Sequence, residues 1–476
     1  MTKKMSYNPN EKNSIIEYAK RLESKTLKQV CHSSIAEHSY SGKGNFGQVL
    51  EKFYFGYEPN SKSEPDFSEV GMELKSSPLK KNNNDDYRSK ERLVLNIIDY
   101  INVVNQDFIN SDFYKKNANI LLVFYFHEAG YDILDYEIKL VGEWSFPLTD
   151  LEIIKRDWET INKKITDGEA HELSESDTFY LGACTKGASA KTVRRQPYCA
   201  VLAKQRAYSF KQSYVNHIIA SIAGETKEKY GKLITSLSQL EAKSIEEIVI
   251  DKFGPYYGKT VEEISEISNI ELDISSKNFY SRITNAVLNI ELGKKIEEFE
   301  KAGIIVKTIR VESKGSIEQS VSFPAFEFEK IYNESWRTSD FKEIIESKFL
   351  FIFFKNDGTQ YFLEKVKFWS MPDDDIQEVK KVWLKTKCLI QNGNIFKDYG
   401  RNKNGDTRLS KKGNPIKLNN LPKISESTVC HVRPHATDST HTFPLPIIDK
   451  KSNATVYSKQ CFWLNNTYVR KVIYVK

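Results

Sequence analysis

Residues Glu64 to Pro78 read E-P-D-F-S-E-V-G-M-E-L-K-S-S-P, and within them two carboxylates, Asp66 and Glu73, and the ammonium of Lys75 have the spacing of a reactive centre. Asp66 follows Pro65 and falls near a turn, while Val70 to Ser76 alternates as a short strand does. Side chains two apart on a strand share a face, so Glu73 and Lys75 stand side by side and Asp66 arrives from the preceding turn. Such carboxylates suit a hard divalent cation. Magnesium takes oxygen ligands, keeps several waters and is commonly held by one or two carboxylates plus substrate phosphate oxygens. A lysine beside it can position an attacking water or help it lose a proton.

The pattern D, six residues, E-x-K is that of metal-dependent nucleases of the restriction-endonuclease fold. In a chain that is 28% charged, E-x-K also recurs by chance on solvated strands and helices, so the flanking elements must give it weight. Upstream, S-G-K-G-N-F-G-Q-V-L-E-K-F-Y-F-G carries glycines at 42, 44 and 47. A dinucleotide fingerprint needs an apolar strand before it, and E-H-S-Y-S is not one. The better account is a glycine turn feeding a helix from about Asn45 to Phe55, where backbone amides and Lys43 can meet a phosphate. Glu51 lies in that helix between Leu50 and Phe53, either as a third member of the cluster or as a solvated residue.

Around this centre the chain reads as alternating helices and strands. Ile15, Ile16, Tyr18, Ala19 and Leu22 have helical spacing. R-L-V-L-N-I-I-D-Y is helix or strand, N-I-L-L-V-F-Y-F-H (119–127) is a buried strand with Tyr136–Trp144 as its neighbour, and Asp150–Ile165 is a helix. This alternation gives an α/β core. Farther on, L-G-A-C-T-K-G-A-S-A precedes a run in which Arg194, Arg195, Lys204, Arg206 and Lys211 interleave with Tyr198, Tyr208 and Phe210. Basic side chains supply phosphate contacts and their neighbours reach base edges; the bland alternative is a surface helix with snorkelling cations.

Composition bounds the partners. The chain has 476 residues, 39% of them apolar, and a formal charge of +6, which permits a nucleic-acid partner. No apolar run reaches membrane-span length, and M-T-K-K-M-S-Y-N-P-N lacks the apolar core of a signal peptide, so a cytoplasmic protein without a membrane partner is expected. Six scattered cysteines with no C-x-x-C pair argue against a disulfide framework or zinc ribbon. Cys430, His431, His435 and His441 match no standard zinc spacing and are read as structural or DNA-facing.

The chain also repeats itself. D-F-S-E-V-G-M-E-L-K-S (66–76) matches E-F-E-K-A-G-I-I-V-K-T (298–308), Ser111–Gly130 matches Ser339–Gly358, and W-S-F-P at 144 matches W-S-M-P at 369. Trp158 and Trp383 each follow fourteen residues later, and Lys204-Gln205 and Tyr214-Val215 recur as Lys459-Gln460 and Tyr468-Val469. A tandem duplication follows, with halves 1–224 and 248–476 joined by a lysine- and glutamate-rich connection, 225–247. Ile305 replaces Glu73 and Asn289 replaces Glu51, so the second copy is expected to keep the scaffold without the chemistry. Its loop R-N-K-N-G-D-T-R-L-S-K-K-G-N-P-I-K and V-C-H-V-R-P-H-A suggest a retained DNA surface.

Together K-G-N-F-G-Q-V-L-E, P-D-F-S-E-V-G-M-E-L-K-S-S-P, H-E-L-S-E, C-T-K-G-A and K-Q-R-A-Y-S-F-K resemble the MutH family across essentially the whole chain, in the form of its two-domain, GATC-specific type II restriction endonucleases. The resemblance implies a duplicated MutH-like fold in which Asp66, Glu73 and Glu51 bind Mg²⁺, Lys75 assists the attacking water and Lys43 lies near the scissile phosphate. It places Thr185, Lys186, Gly187 and Tyr208 where the family reads GATC, with Lys204 and Arg206 as further DNA contacts. In the second half, Arg433-Pro434-His435 is closer than Cys184-Thr185-Lys186 to the family's R-P-K, which makes Arg433 and His435 candidate DNA contacts. The implied activity is double-strand cleavage 5′ of the guanine, with the second half binding another GATC as effector. A DNA-induced dimer is compatible with it, and a cognate methyltransferase would be a functional, not physical, partner. A GATC-specific repair nickase and a non-catalytic GATC-binding regulator are the alternatives; the duplicated length speaks against the first and the intact Asp66, Glu73 and Lys75 against the second.

Overall fold

The computed structural model describes residues 6–31, 45–59, 64–81, 86–128, 130–187, 192–225, 230–268, 279–291, 293–410, 413, 415–436 and 440–475. By packing the chain forms two units, Met1–Val249 with Leu288–Ile304, and Ile250–Val287 with Ile305–Lys476. No helix among the described residues is long and apolar enough to cross a membrane.

The first unit is built on β1 (Glu73–Lys81), β2 (Tyr87–Ser89), β3 (Leu93–Ile97), β4 (Asn119–Phe126) and β5 (Ile138–Ser145), of which β2-β1-β4-β5 form one mixed sheet. β1 runs parallel to β4, with Glu73 opposite Ile120, and β5 is antiparallel to β4. β4 can sit at the centre because Ile120 through Phe124 offers apolar side chains to both faces, and all five are fully buried. The strand expected over 70–76 starts later, at Glu73, because Ser68–Val70 closes into a 3₁₀ turn ended by Gly71 at φ 63°. R-L-V-L-N-I-I-D-Y resolves to the strand β3.

The second sheet, β3-β9-β6, is made with β6 (Leu181–Thr185) and β9 (Arg206–Phe210), while β7 (Val193–Gln196) and β8 (Cys199–Lys204) pair with each other as a separate two-stranded hairpin. The helix Leu148–Thr166 buries Ile153, Ile154, Trp158, Ile161 and Ile165 at three- and four-residue spacing. Its buried Asp157 accepts the amides of Phe179, Tyr180 and Leu181 at 2.7–2.9 Å, which fixes the start of β6 to the helix. β10 (Tyr230–Gly231) pairs with β11 (Lys295–Ile296).

The first unit therefore holds a segment, Leu288–Ile304, that lies in the second half of the sequence. A buried ion network accounts for it: Lys301 Nζ donates to Asp150 Oδ1 (2.7 Å) and Glu297 Oε1 (2.9 Å), and Tyr214 Oη donates to Asp150 Oδ2 (3.0 Å).

In the second unit β12 (Ile305–Val311), β13 (Val321–Phe326), β14 (Phe349–Asn356) and β15 (Tyr361–Trp369) precede a 19-residue helix, Asp373–Gln391. β16 (Phe396–Tyr399) pairs with β17 (Lys417–Asn419); β18 (Cys430–Pro434), β19 (Thr442–Pro444), β20 (Val456–Ser458) and β21 (Gln460–Leu464) follow. The sheets are β12-β14-β15, parallel then antiparallel, and β13-β21-β18. β4/β5 and β14/β15 each shift register once, at Phe124/Tyr125 and at Phe353/Phe354.

These registers correct two ungapped sequence matches. Glu73 faces Ile120 and Ile305 faces Phe349, so Phe349, not Lys348, stands where Ile120 does. Likewise Thr185 faces Arg206 and Pro434 faces Gln460, so Lys459 takes the place of Gln205.

Candidate active site

The turn from Asp66 to Glu73 is closed by two backbone hydrogen bonds, Phe67 N to Met72 O (2.9 Å) and Met72 N to Phe67 O (3.2 Å). Gly71 supplies the left-handed residue this turn needs, where a side chain would be strained. Across the turn the Asp66 amide donates to Glu73 Oε2 (3.2 Å), and the Leu74 amide donates to Asp66 Oδ2 (3.0 Å). Apolar packing of Phe67, Met72 and Leu74 anchors the three polar groups to the core.

Glu73 is 1% exposed yet does not lie in an apolar void. Lys75 Nζ donates to its Oε1, and Lys116 Nζ lies 3.5 Å from its Oε2. Lys116 comes from the last turn of the short helix Asp112–Asn117, started by Ser111, and also donates to Glu64 O (2.9 Å). A buried carboxylate needs such partners, since an unpaired one is costly. Lys116 escaped the sequence reading because no spacing within S-D-F-Y-K-K-N signals it; only the parallel β1/β4 crossover brings it to Glu73.

Glu51 joins the cluster from a π-helix, Leu50–Phe55, that follows the helix Asn45–Val49. A π turn inside a helix shifts its side chains and is frequent at functional sites. At Gly47 a Cβ would stand 3.8 Å from Glu51 Oε1 and 3.5 Å from Ser76 Oγ, so this helix lies against β1. Burial and then the Asp66 carboxylate push Glu51 up to about 7, with Glu73 adding and Lys75 and Lys116 opposing. Burial and then Glu73 push Asp66 up to about 6, against the Leu74 amide and both lysines.

Three hard oxygen donors in one electrostatic neighbourhood, two of them short of positive charge, fit a divalent cation of the magnesium type. Among the described residues no three His, Cys, Asp or Glu side chains are already converged as ligands, and the lysines hold Glu73.

Of the DNA-contact candidates, Thr185, Lys186, Gly187 and Lys204 are exposed. Lys186 N donates to Gln205 O (2.8 Å), and a Cβ on Gly187 would meet Thr192 Cβ at 2.6 Å, so the loop needs glycine there. Two other candidates are buried, not exposed. Tyr208 is 2% exposed and packs 4.9 Å from Phe113, and Arg206 is 5% exposed with its guanidinium donating to Ala183 O (2.6 Å). β9, the central strand of its sheet, is buried along its whole length from Arg206 to Phe210. Lys43 lies outside the described residues.

In the second unit Arg433 and His435 are exposed, and the Arg433 guanidinium stacks 4.5 Å over the Trp463 ring. His431 is buried instead, with Nδ1 2.7 Å from Asn465 Oδ1, and Cys430 is fully buried. At the positions matching Glu73 and Lys75, Ile305 offers no ligand and Lys307 donates to Ser322 O (2.8 Å), its pKa lowered by burial. Glu298, matching Asp66, accepts the amides of Leu233 and Ile234 at 2.9 Å each.

A mixed sheet carrying a carboxylate turn, an E-x-K strand and a second lysine from the crossover helix describes a MutH-type nuclease, and the family described as DNA mismatch repair enzyme MutH matches residues 55–157. The type II restriction enzyme Sau3AI of Staphylococcus aureus is 37% identical over 483 residues, covering 94% of this chain and 95% of that one. DNA mismatch repair protein MutH of Buchnera aphidicola is 30% identical over 135 residues, 28% of this chain and 59% of that one. Its counterpart in Vibrio parahaemolyticus is 26% identical over 160 residues, 34% and 69% respectively. The chain belongs to the MutH-like family that includes the type II restriction enzyme Sau3AI, and is a site-specific endonuclease.

Proposed function

We propose that this chain is a type II restriction endonuclease making Mg²⁺-dependent double-strand cuts in DNA at GATC, 5′ of the guanine. The observation that carries the reading is the buried Glu73 carboxylate, tied to Asp66 by one turn and flanked by Lys75 and Lys116. Held by Asp66, Glu73 and Glu51, Mg²⁺ would neutralise phosphoryl oxygens and favour a hydroxide nucleophile. The residues do the rest. Lys75 and Lys116, released from Glu73 as it turns, offset the charge that grows on phosphorus-bound oxygens as water attacks in line and the bond to the leaving sugar oxygen breaks. Glu51, whose pKa burial and then Asp66 raise to about 7, would lose its proton to solvent on becoming a ligand. Thr185 at the end of β6, with Lys186, whose amide is bonded to Gln205 O, and Gly187 beyond it, is the base-reading element, with Lys204 as a phosphate contact.

The two halves, 1–224 and 248–476 around the connection 225–247, are a tandem duplication whose second copy has lost the chemistry. The shared strand orders and matched register shifts support it, as do Ile305 in place of Glu73 and the use of Glu298 as a backbone acceptor. That copy binds a second GATC as effector, through the Arg433 and His435 edge. With one catalytic centre per chain, cutting both strands calls for a DNA-induced dimer or two successive events. The enzyme works in the cytoplasm beside a methyltransferase that protects host sites without binding it. A short duplex with one GATC, incubated with Mg²⁺ or EDTA and mapped at both ends, tests the chemistry: cuts away from GATC, or cuts in EDTA, would refute it.

A further inference from the structure

Tyr57 stands beside the carboxylate cluster. Gly56, at φ 80°, ends the Leu50–Phe55 π-helix, and the amides of Gly56 and Tyr57 both donate to Glu51 O, at 2.9 and 3.2 Å. This ties Tyr57 to the residue that brings Glu51 into the cluster. Its ring then stands edge-on to Phe67, the neighbour of Asp66, with centroids 5.6 Å apart at 78°. The hydroxyl oxygen is shielded from solvent and has no hydrogen-bond partner among the described residues. Buried polar groups are nearly always paired, and an exception at a reactive site points to a partner that arrives with a ligand. Burial, then Asp66, Glu51 and Glu73, raise the Tyr57 pKa, so the hydroxyl keeps its proton and can only gain from an acceptor.

We propose that Tyr57 is a positioning residue for the divalent cation: when the ion draws the carboxylates together, the Tyr57 hydroxyl donates to Asp66 and holds it in the ligating orientation. Asp66 has one oxygen committed to the Leu74 amide, and a donor on the carboxylate fixes which oxygen is left for the ion. The inference rests on the reading of Asp66, Glu73 and Glu51 as a metal site.

The test is Tyr57→Phe, which keeps the ring against Phe67 and removes only the hydroxyl. Mn²⁺ serves as probe, with affinity measured by calorimetry on the full chain and melting followed in EDTA and in Mn²⁺. The expected result is an unchanged melting temperature in EDTA, because the hydroxyl has no partner there, and an Mn²⁺ affinity weaker by about tenfold, the size of a lost outer-shell contact. Equal affinity in the two proteins would overturn the inference, as would a loss of melting temperature in EDTA that is no larger in Mn²⁺, the mark of a merely structural role. Glu73→Gln separates the two levels. If wild type and Glu73→Gln take up Mn²⁺ alike, or neither does, the metal reading itself fails and this inference with it.

Discussion

The Asp66 backbone amide donates to Glu73 Oε2 at 3.2 Å, so the two carboxylates are held on one turn and their separation in sequence is the length of that turn. Six residues lie between them because Phe67 and Met72 exchange hydrogen bonds and Gly71 closes the loop in the left-handed region. A Cβ on Gly71 would meet nothing within 4 Å, so the cost of Gly71→Ala is conformational. It should lower stability by about 1–2 kcal/mol in denaturant unfolding and reduce cleavage as the carboxylates lose their spacing.

Glu73 separates chemistry from binding. Glu73→Gln keeps the shape but removes the charge and turns one of two accepting oxygens into a donor, and should cut the single-turnover rate by at least about 100-fold while DNA retention in a gel changes little. Glu73→Ala is the harsher change. It leaves Lys75 and Lys116 without their buried counter-charge and should destabilise the protein by about 3–5 kcal/mol.

Lys116 tests whether the cation from the crossover helix takes part. Lys116→Met keeps the aliphatic stem and removes the charge 3.5 Å from Glu73 and the bond to Glu64 O. Cleavage should fall about 10- to 100-fold with a far-ultraviolet circular dichroism spectrum like that of the wild type. Undiminished cleavage would make Lys116 a purely structural partner of Glu73.

The carboxylates also set a pH dependence. Glu51 and Asp66 stand at about 7 and 6 in the metal-free fold, above their ordinary 4.5 and 3.8, so the folded chain binds these protons more tightly than the unfolded one. Their contribution to stability is present at low pH and is lost as pH rises through that window. The melting temperature without metal should carry a falling component between about pH 4 and 7 that saturating Mg²⁺ flattens. Mg²⁺ binding near pH 6.5 should release protons, seen in calorimetry as heats that vary with the ionisation enthalpy of the buffer.

Much of this was legible in the sequence, for physical reasons. The β4 run announces a strand buried on both faces, and Glu73 and Lys75 share a face because strands alternate. What depends on long-range pairing was not legible. Lys116 reaches Glu73 only through the parallel crossover, and Tyr57 reaches the cluster only through the π-helix and its Gly56 cap. Tyr208 and Arg206 looked like surface groups in a basic, aromatic run, yet β9 is flanked by strands on both edges and buries them. The off-by-one matches at Phe349 and Lys459 show the same limit, since similarity without gaps cannot see a residue inserted before a strand.

The proposed cleavage at GATC by the first copy, with the second as effector, can be read on plasmids. Purified protein and Mg²⁺ would be given plasmids with zero, one or several GATC sites, unmethylated and adenine-methylated, with product ends mapped. The expected result is double-strand cuts at GATC, none on the plasmid without sites, and a faster rate per site on the multi-site plasmid. Nicks alone, cuts elsewhere, or DNA that is bound and left intact would contradict it.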